Sequence, residues 1–151
     1  MSPPARRNVA PLSLAERARL EECDADNATR LLSVHGERLL YIHGRGWGVW
    51  DGCRFDFASG DLAAFRLAAE LRGLVAAEAD WLATLAPVPE EMVARLTAKA
   101  GTKALPLDGS APLEEQARRT IRAEWAARRR KHATSCGNVE RIGKALEYAR
   151  H

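Results

Sequence analysis

Residues 39–57 read LLYIHGRGWGVWDGCRFDF, and this stretch decides the fold. Three short runs, at 39–43, 47–50 and 53–57, are rich in the aromatic and β-branched residues typical of strands. The pair Asp51-Gly52 lies between the last two runs, and Asp-Gly between alternating aromatic runs is a strong signal for a tight hairpin. The glycine-rich segment 44–48 favours a bend rather than a phosphate-binding loop, because it leads into a strand and not into a helix N-terminus.

Helical patterns surround this predicted sheet. Ser13 and Glu16 form a capping-box pattern that opens a short helix to about Glu22. Asp24 or Asp26 is expected to cap the next helix, and Gly36 to end it, since glycine tolerates a positive φ. Downstream, apolar spacing predicts helices over 61–85, 89–101, 112–134 and 139–149. The fold class is therefore α+β and mainly helical, a helical bundle with a small antiparallel three-stranded sheet near residues 38–57.

The N-terminal segment and one internal stretch are predicted to contain neither helix nor strand. Residues 1–12 contain Pro3, Pro4 and Pro11 and predict a disordered arm. Residues 102–111 combine Pro, Asp, Gly and Ser and predict an exposed loop. We therefore predict a single domain over residues 13–151.

The composition is that of a globular intracellular protein. Hydrophobic residues make up 46% and charged residues 28% of the chain, with no apolar run that could span a bilayer and no hydrophobic leader. The three cysteines, Cys23, Cys53 and Cys136, are widely spaced and form no C-x-x-C pair, which favours reduced structural thiols. These features predict a cytoplasmic protein with no membrane partner.

Positive charge concentrates in the last quarter of the chain. From Leu113 onward ten Arg and Lys residues outnumber five Glu residues, so this segment carries +5, whereas the whole chain carries +3. Four successive cations on a helix point in different directions, so at least two must face solvent or a partner. We expect salt-sensitive contact with a nucleic-acid backbone, the alternative being a solvated face paired with Glu. The predicted nucleic-acid-binding residues are Arg118, Arg119, Arg122, Arg128, Arg129, Arg130 and Lys131.

Aromatic residues of the predicted sheet allow two interpretations. Side chains at alternate strand positions can stack bases of a single strand. They can equally form the core between sheet and helices, which is the commoner environment of Trp in strands and the one we favour for most of them. The residues concerned are Tyr41, Trp47, Trp50, Phe55 and Phe57.

No complete catalytic pattern is present in the sequence. The chain has no G-x-x-x-x-G-K-[ST] loop and no supported Ser-His-Asp or Cys-His grouping. Asp24, Asp26, Asp51 and Asp56 would form a metal site only if they converged, and the first three have simpler interpretations as helix caps and a turn residue. We therefore predict no enzymatic activity, no metal and no cofactor for this chain alone.

Five segments together resemble a known family, the domain that precedes the helicase in phage-, plasmid- and poxvirus-type primase/helicases. The Trp-Asp-Gly hairpin with Trp47, Trp50, Asp51 and Gly52 is the most specific segment, and the family pattern implies that it organises the fold. The likeness extends over residues 24–150. The segments are Asp26-Asn27-Ala28-x-Arg30-Leu31, His35-Gly36-x-x-Leu39-x-Tyr41, Gly46-Trp47-x-Val49-Trp50-Asp51-Gly52-x-Arg54-Phe55, Lys131-His132-Ala133-x-Ser135 and Arg141-Ile142-x-x-Ala145-Leu146-Glu147.

The resemblance implies a place in DNA replication. In that family the domain acts as a collar before a superfamily-three ATPase, and the present sequence contains no ATPase motif, so helicase activity is not expected of it. We expect an accessory DNA-binding module of a phage or mobile-element primase/helicase, with single-stranded DNA preferred over duplex. The alternative is an adaptor that binds a helicase or primase subunit without contacting DNA. Homo-oligomer formation stays open.

Overall fold

The computed structural model describes residues 10–100 and 111–150. Within these residues helices pack on one small antiparallel sheet, so the predicted mainly helical α+β fold is confirmed. The elements are α1 (Leu14–Arg17), α2 (Asp24–His35), a 3-10 turn (Gly36–Arg38), β1 (Leu39–Ile42), β2 (Gly46–Trp50), β3 (Phe55–Asp56), α3 (Gly60–Ala69), α4 (Leu71–Thr84), α5 (Glu90–Ala100), α6 (Leu113–Cys136) and α7 (Val139–Tyr148).

The three strands form an antiparallel sheet in the order β1-β2-β3. Leu39 lies opposite Val49, and Trp50 lies opposite Phe55. The predicted Asp-Gly turn is confirmed. The Asp51 carboxylate accepts the backbone N–H of Cys53 at 2.8 Å and of Arg54 at 2.9 Å. Gly52 has φ +108°, a backbone conformation that L side chains rarely adopt.

Helix α6 is the longest of the described helices, and both α4 and α5 pack along it. It packs antiparallel to α4, because Glu78 in the middle of α4 meets Arg129 while Ala86, after the end of α4, meets Arg122. Helix α5 packs on the N-terminal half of α6, and α1 packs on α4. Helix α7 packs on α2 and α3, and α3 also packs on β2.

The apolar core follows these contacts. Its largest cluster joins the sheet to α2, α3, α4, α6 and α7, with Leu31, Trp47 and Val75 among its buried members. Two smaller clusters follow α6 toward its N-terminus, one against α1 and the end of α4 and one against α5. No helix in the described residues combines the length and apolar character that crossing a bilayer requires.

Two predictions about helix limits are wrong, and a third, the end of α2, is confirmed with a different backbone conformation. The predicted helix over 61–85 is two helices, because the Glu70 N–H donates to the Leu67 carbonyl and tightens the turn between α3 and α4. Gly36 ends α2 as its C-cap, as predicted, but it does so with φ −57° and opens a 3-10 turn, so a positive φ is not needed there. The cap of α2 is Cys23 rather than an aspartate, with Sγ accepting from the Asp26 N–H.

The remaining local predictions concern the start of the chain, the loop over 102–111 and the domain range. The Ser13–Glu16 capping box is confirmed, although α1 ends at Arg17 and not near Glu22. The predicted loop over 102–111 and most of the predicted arm over 1–12 lie outside the described residues. The single domain over 13–151 stays a prediction.

Candidate nucleic-acid interface

The basic segment of α6 divides between solvent and core. Successive residues of an α-helix point about 100° apart, so four consecutive cations cannot share one face. Arg128, Arg130 and Lys131 are exposed, whereas Arg129 is buried at 5% exposure. The expectation that at least two of the four would face outward is therefore met by three.

Arg129 is held almost entirely inside the protein. Its guanidinium donates to the carboxylates of Glu22 and Glu78 and to the backbone carbonyls of Ala18 and Leu20. These acceptors surround a side chain that is only 6% exposed. Arg129 is therefore a weak candidate for contact with DNA, because the helix turns this residue toward α1 and α4.

Two of the upstream cations are also held by the protein. The Arg122 Nε donates to the Ala86 carbonyl at 2.9 Å and ties α6 to the end of α4. Arg118 is 24% exposed and contacts Glu90 of α5 at 2.7 Å, and this hydrogen bond raises the pKa of Arg118. Both arginines position helices, so they are weak candidates for a phosphate contact.

Four of the seven predicted residues remain exposed. Three of them contact a carboxylate: Arg119 contacts Glu115 at 3.1 Å, Arg128 contacts Glu22 at 3.2 Å, and Arg130 contacts Asp80 at 3.0 Å. Exposed pairs of this kind contribute about 0–1 kcal/mol and are screened by salt. A phosphate can therefore replace such a carboxylate at small cost. The four residues are Arg119, Arg128, Arg130 and Lys131.

Beneath this surface lies a fully buried ion network. Arg30 and Glu78 are both 0% exposed and meet through Arg30 Nε at 2.9 Å, and Arg129 binds the same carboxylate from α6. Arg30 also donates to the backbone carbonyls of Arg17, Leu20 and Glu21. The network thus fixes the α1–α2 connection to α4 and α6.

Sequence reasoning missed this network, although a signal for it exists. Glu78 lies in register with the buried Leu71, Val75 and Leu82 of α4, at a position where an apolar residue is expected. Arg129 similarly follows Ile121 and precedes Cys136 on the buried side of α6. A charged residue inside an apolar stripe signals a buried ion pair, because an unpaired charge there is too costly.

A second polar group lies next to this network and joins distant segments of the chain. His132 Nε2 lies 3.1 Å from Asn27 Oδ1, and Cys136 Sγ lies 3.8 Å from the same oxygen. Although Cys, His and Asn recur together in thiol enzymes, all three are buried here. Burial raises the pKa of the Cys136 thiol and lowers the pKa of His132, which opposes formation of a thiolate-imidazolium pair.

The Trp-Asp-Gly hairpin contributes to both faces of the sheet. Trp47 is 4% exposed and meets Tyr41 edge-on at 5.3 Å on the face that packs against the helices. Trp50 and Phe55 meet edge-on at 5.2 Å on the other face and are half-buried. The core interpretation therefore holds for Trp47 and Tyr41, while Trp50 and Phe55 lie outside the main apolar cluster.

Phe57 shares the outer face of the sheet. Its ring lies against Gly48, where a Cβ would come within 2.7 Å of it, and the Arg45 guanidinium lies 4.5 Å from the ring centroid. The predicted structural residues of the hairpin, Trp47, Trp50, Asp51 and Gly52, thus serve packing and turn formation. Across the described ranges 10–100 and 111–150, no three His, Cys, Asp or Glu residues are grouped as a metal ion would require.

Comparison with known proteins yields no relative. No family model matches the chain, and no match is found among curated proteins or solved structures. The resemblance to the pre-helicase domain stays a prediction carried by the residues quoted above.

Proposed function

We propose that this chain is an accessory DNA-contacting module of a phage or mobile-element replication primase/helicase, without catalytic activity of its own. The observation that carries the proposal is the set of exposed cations on α6, Arg119, Arg128, Arg130 and Lys131. They lie on one long helix that carries seven cations and three anions in total. The resemblance supplies the replication context.

Two of the family-like segments meet in the core, which also supports the proposal. Asn27 and Arg30 come from the first segment and His132 from a segment about one hundred residues later. Arg30 and His132 both lie within hydrogen-bond distance of Asn27 Oδ1. Residues that the resemblance groups together thus make contact in the core, and the helix that carries His132 also presents the exposed cations.

DNA binding would use the exposed cations as phosphate ligands. The ion pairs of Arg128 with Glu22 and of Arg130 with Asp80 lie at the surface, where a phosphate can compete with the carboxylate. Each phosphate neutralised releases counterions, so affinity falls steeply with salt. The contact reads the backbone and not the base sequence.

The test compares two triple variants by fluorescence anisotropy with labelled single-stranded and duplex DNA. In the first, Arg128, Arg130 and Lys131 are replaced by Ala. In the control, the exposed Arg66, Arg72 and Arg95 of other helices are replaced by Ala, which removes the same charge. We expect the first variant to bind more weakly and to lose about 2 to 3 units of the salt slope measured between about 50 and 200 mM salt.

Two results would overturn the proposal. Equal weakening by both triple variants would mean that net charge alone matters, and no binding by the wild-type chain at low salt would remove DNA as a partner. Thermal unfolding of the variants should stay close to that of the wild type, because all replaced residues are exposed.

One observation favours the adaptor alternative. Three exposed cations of α6 already contact carboxylates, and Leu85 and Val139 expose 67% and 72% of their surface. A complex with a protein partner bound through apolar surface would stay associated at high salt, whereas contacts with the DNA backbone would be weakened. Retention of a helicase or primase subunit in a pull-down at high salt would therefore favour the adaptor.

A further inference from the structure

A cavity of about 440 Å³ opens beside Arg128. It lies between the α1–α2 connection, the end of α4 and the middle of α6, and it is lined by Ala18–Glu22, Leu82, Trp125, Arg128 and Arg129. Its volume falls in the range of about 300–1,000 Å³ that small-molecule sites occupy. The cavity is continuous with the exposed cations of α6, because Arg128 belongs to both.

The lining combines an aromatic wall with a positive rim. Trp125 is half-buried and packs beside Leu82, so one side of the cavity is apolar. Arg19 and Arg128 are exposed at the cavity. The carboxylate of Glu22 contacts Arg128 and Arg129. The lining contains Arg19, Arg128 and Arg129 and two acids, Glu21 and Glu22, so its net charge is +1.

We infer that this cavity takes an unpaired nucleobase of a single strand, stacked against Trp125, while Arg19 and Arg128 bind the flanking phosphates. The inference rests on the proposed DNA contact and gives it a strand preference. A base can enter the cavity and stack on Trp125 only when it is unstacked and unpaired, so duplex DNA can use the phosphate contacts alone. Aromatic side chains accept any base, because every base has a π-face.

The outer face of the sheet is the competing place for stacking. It carries Trp50 beside Phe55, and Phe57 under Arg45. Its hairpin is not positively charged, since Arg45 and Arg54 are matched by Asp51 and Asp56 within residues 44–57. The cavity at Trp125 has both the ring and the positive charge, and Trp50 provides a matched tryptophan for the experiment.

The test measures the affinity of three proteins for each of two DNA strands. The strands are an oligothymidylate of about 12 nucleotides, a length within typical single-strand site sizes, and an abasic strand of equal length that keeps the phosphates. The proteins are the wild type, Trp125→Leu and Trp50→Leu. We expect the wild type and Trp50→Leu to bind the thymidine strand about 5- to 150-fold more tightly than the abasic strand. Trp125→Leu should bind both strands alike, at the abasic affinity.

A second measurement keeps Trp125 in place, because this residue also packs in the core. The indoles of the wild type are oxidised with N-bromosuccinimide, and each tryptophan is quantified by mass spectrometry. The thymidine strand should slow oxidation of Trp125, the abasic strand should not, and Trp50 should react equally with either strand.

The outcomes separate this inference from the proposed function. Salt-sensitive binding without preference for the thymidine strand, or a preference that Trp125→Leu retains, overturns the cavity while leaving the DNA contact intact. Loss of the preference in Trp50→Leu, or protection of Trp50 in place of Trp125, assigns stacking to the sheet and also overturns it. Absence of all DNA binding removes both proposals together.

Discussion

At the scale of single residues, Glu78 is the charge on which the α1–α2 connection depends. It is 0% exposed and accepts from Arg30 and Arg129, which also donate to backbone carbonyls within residues 17–21. Such a network compensates its own desolvation only while every member is present. Two buried guanidiniums depend on this single buried carboxylate, with the half-buried Glu22 as the other acid in contact with Arg129.

Replacement of Glu78 by Gln should therefore destabilise the protein strongly. The amide keeps the size of the side chain but removes the charge that balances Arg30 and Arg129, and breaking a buried pair in this way costs about 3–5 kcal/mol. The measurement is the free energy of unfolding from urea titration. Asp80→Asn is the control, because Asp80 is exposed in its pair with Arg130 and should cost no more than about 1 kcal/mol. Similar small losses for both variants would contradict the assigned network.

At the scale of secondary-structure elements, the start of α3 is fixed against the middle strand of the sheet. The backbone N–H of Trp47 donates to the Asp61 carboxylate at 3.0 Å. A Cβ on Gly60 would lie 1.8 Å from the Trp47 carbonyl oxygen, so only glycine allows α3 to approach β2 this closely. The buried face of the sheet depends on this approach, because α3 packs on β2 in the main core.

Gly60→Ala should consequently disrupt the junction between α3 and β2. The added methyl group meets backbone atoms, which cannot move aside as a flexible side chain could, so we expect a loss of more than about 2 kcal/mol. Gly73→Ala serves as the comparison. Gly73 lies in α4 with nothing within 4 Å of its added Cβ, and the change should stabilise the helix by up to about 1 kcal/mol. Urea midpoints of the two variants should therefore shift in opposite directions, and a shift in the same direction would count against the close approach.

The sequence allowed the hairpin to be predicted but not the break between α3 and α4. Asp51-Gly52 acts locally, through a side chain that bonds the next backbone N–H groups, so its effect is visible in a few residues. The turn at Glu70 contains neither Pro nor Gly, and the apolar spacing continues across it. The tightened turn is formed where His35 of α2 contacts Glu70, a tertiary contact that no local pattern reveals.

The candidate site shows the same limit. Consecutive cations at 128–131 predicted a basic surface, and three of the four are exposed. Which of the four cations points inward depends on where α4 places Glu78. Glu78 and Arg129 are 51 residues apart in sequence, so the answer requires the packing of α4 against α6. The cavity at Trp125 was not foreseen for a related reason, since its walls come from three separate parts of the chain.

At the scale of the whole molecule, two buried histidines make stability depend on pH. His35 and His132 are 5% and 7% exposed. Burial lowers the pKa of His35, against the attraction of Glu70, which lies 3.1 Å from Nε2. Burial also lowers the pKa of His132, and the nearby Arg30 adds to the effect. Other charged groups facing these rings are Arg38 for His35, and Glu22, Arg141 and Arg129 for His132.

The protein should therefore lose stability in mildly acidic solution. The histidines of the unfolded chain take up protons at their ordinary pKa near 6.5, whereas those of the folded protein have lowered pKa values. The contribution of the neutral histidines to stability is therefore full above about pH 6.5. It falls as the pH drops below that value and through the lowered pKa values of the folded state. Urea titrations from about pH 8 to about pH 5 should show this decline, which precedes carboxylate protonation at lower pH. Replacing His35 or His132 with Gln should flatten the decline by that residue's share. Stability that rises toward pH 5 would show that the imidazoles are held as cations, with the attraction of Glu70 or Glu22 outweighing burial.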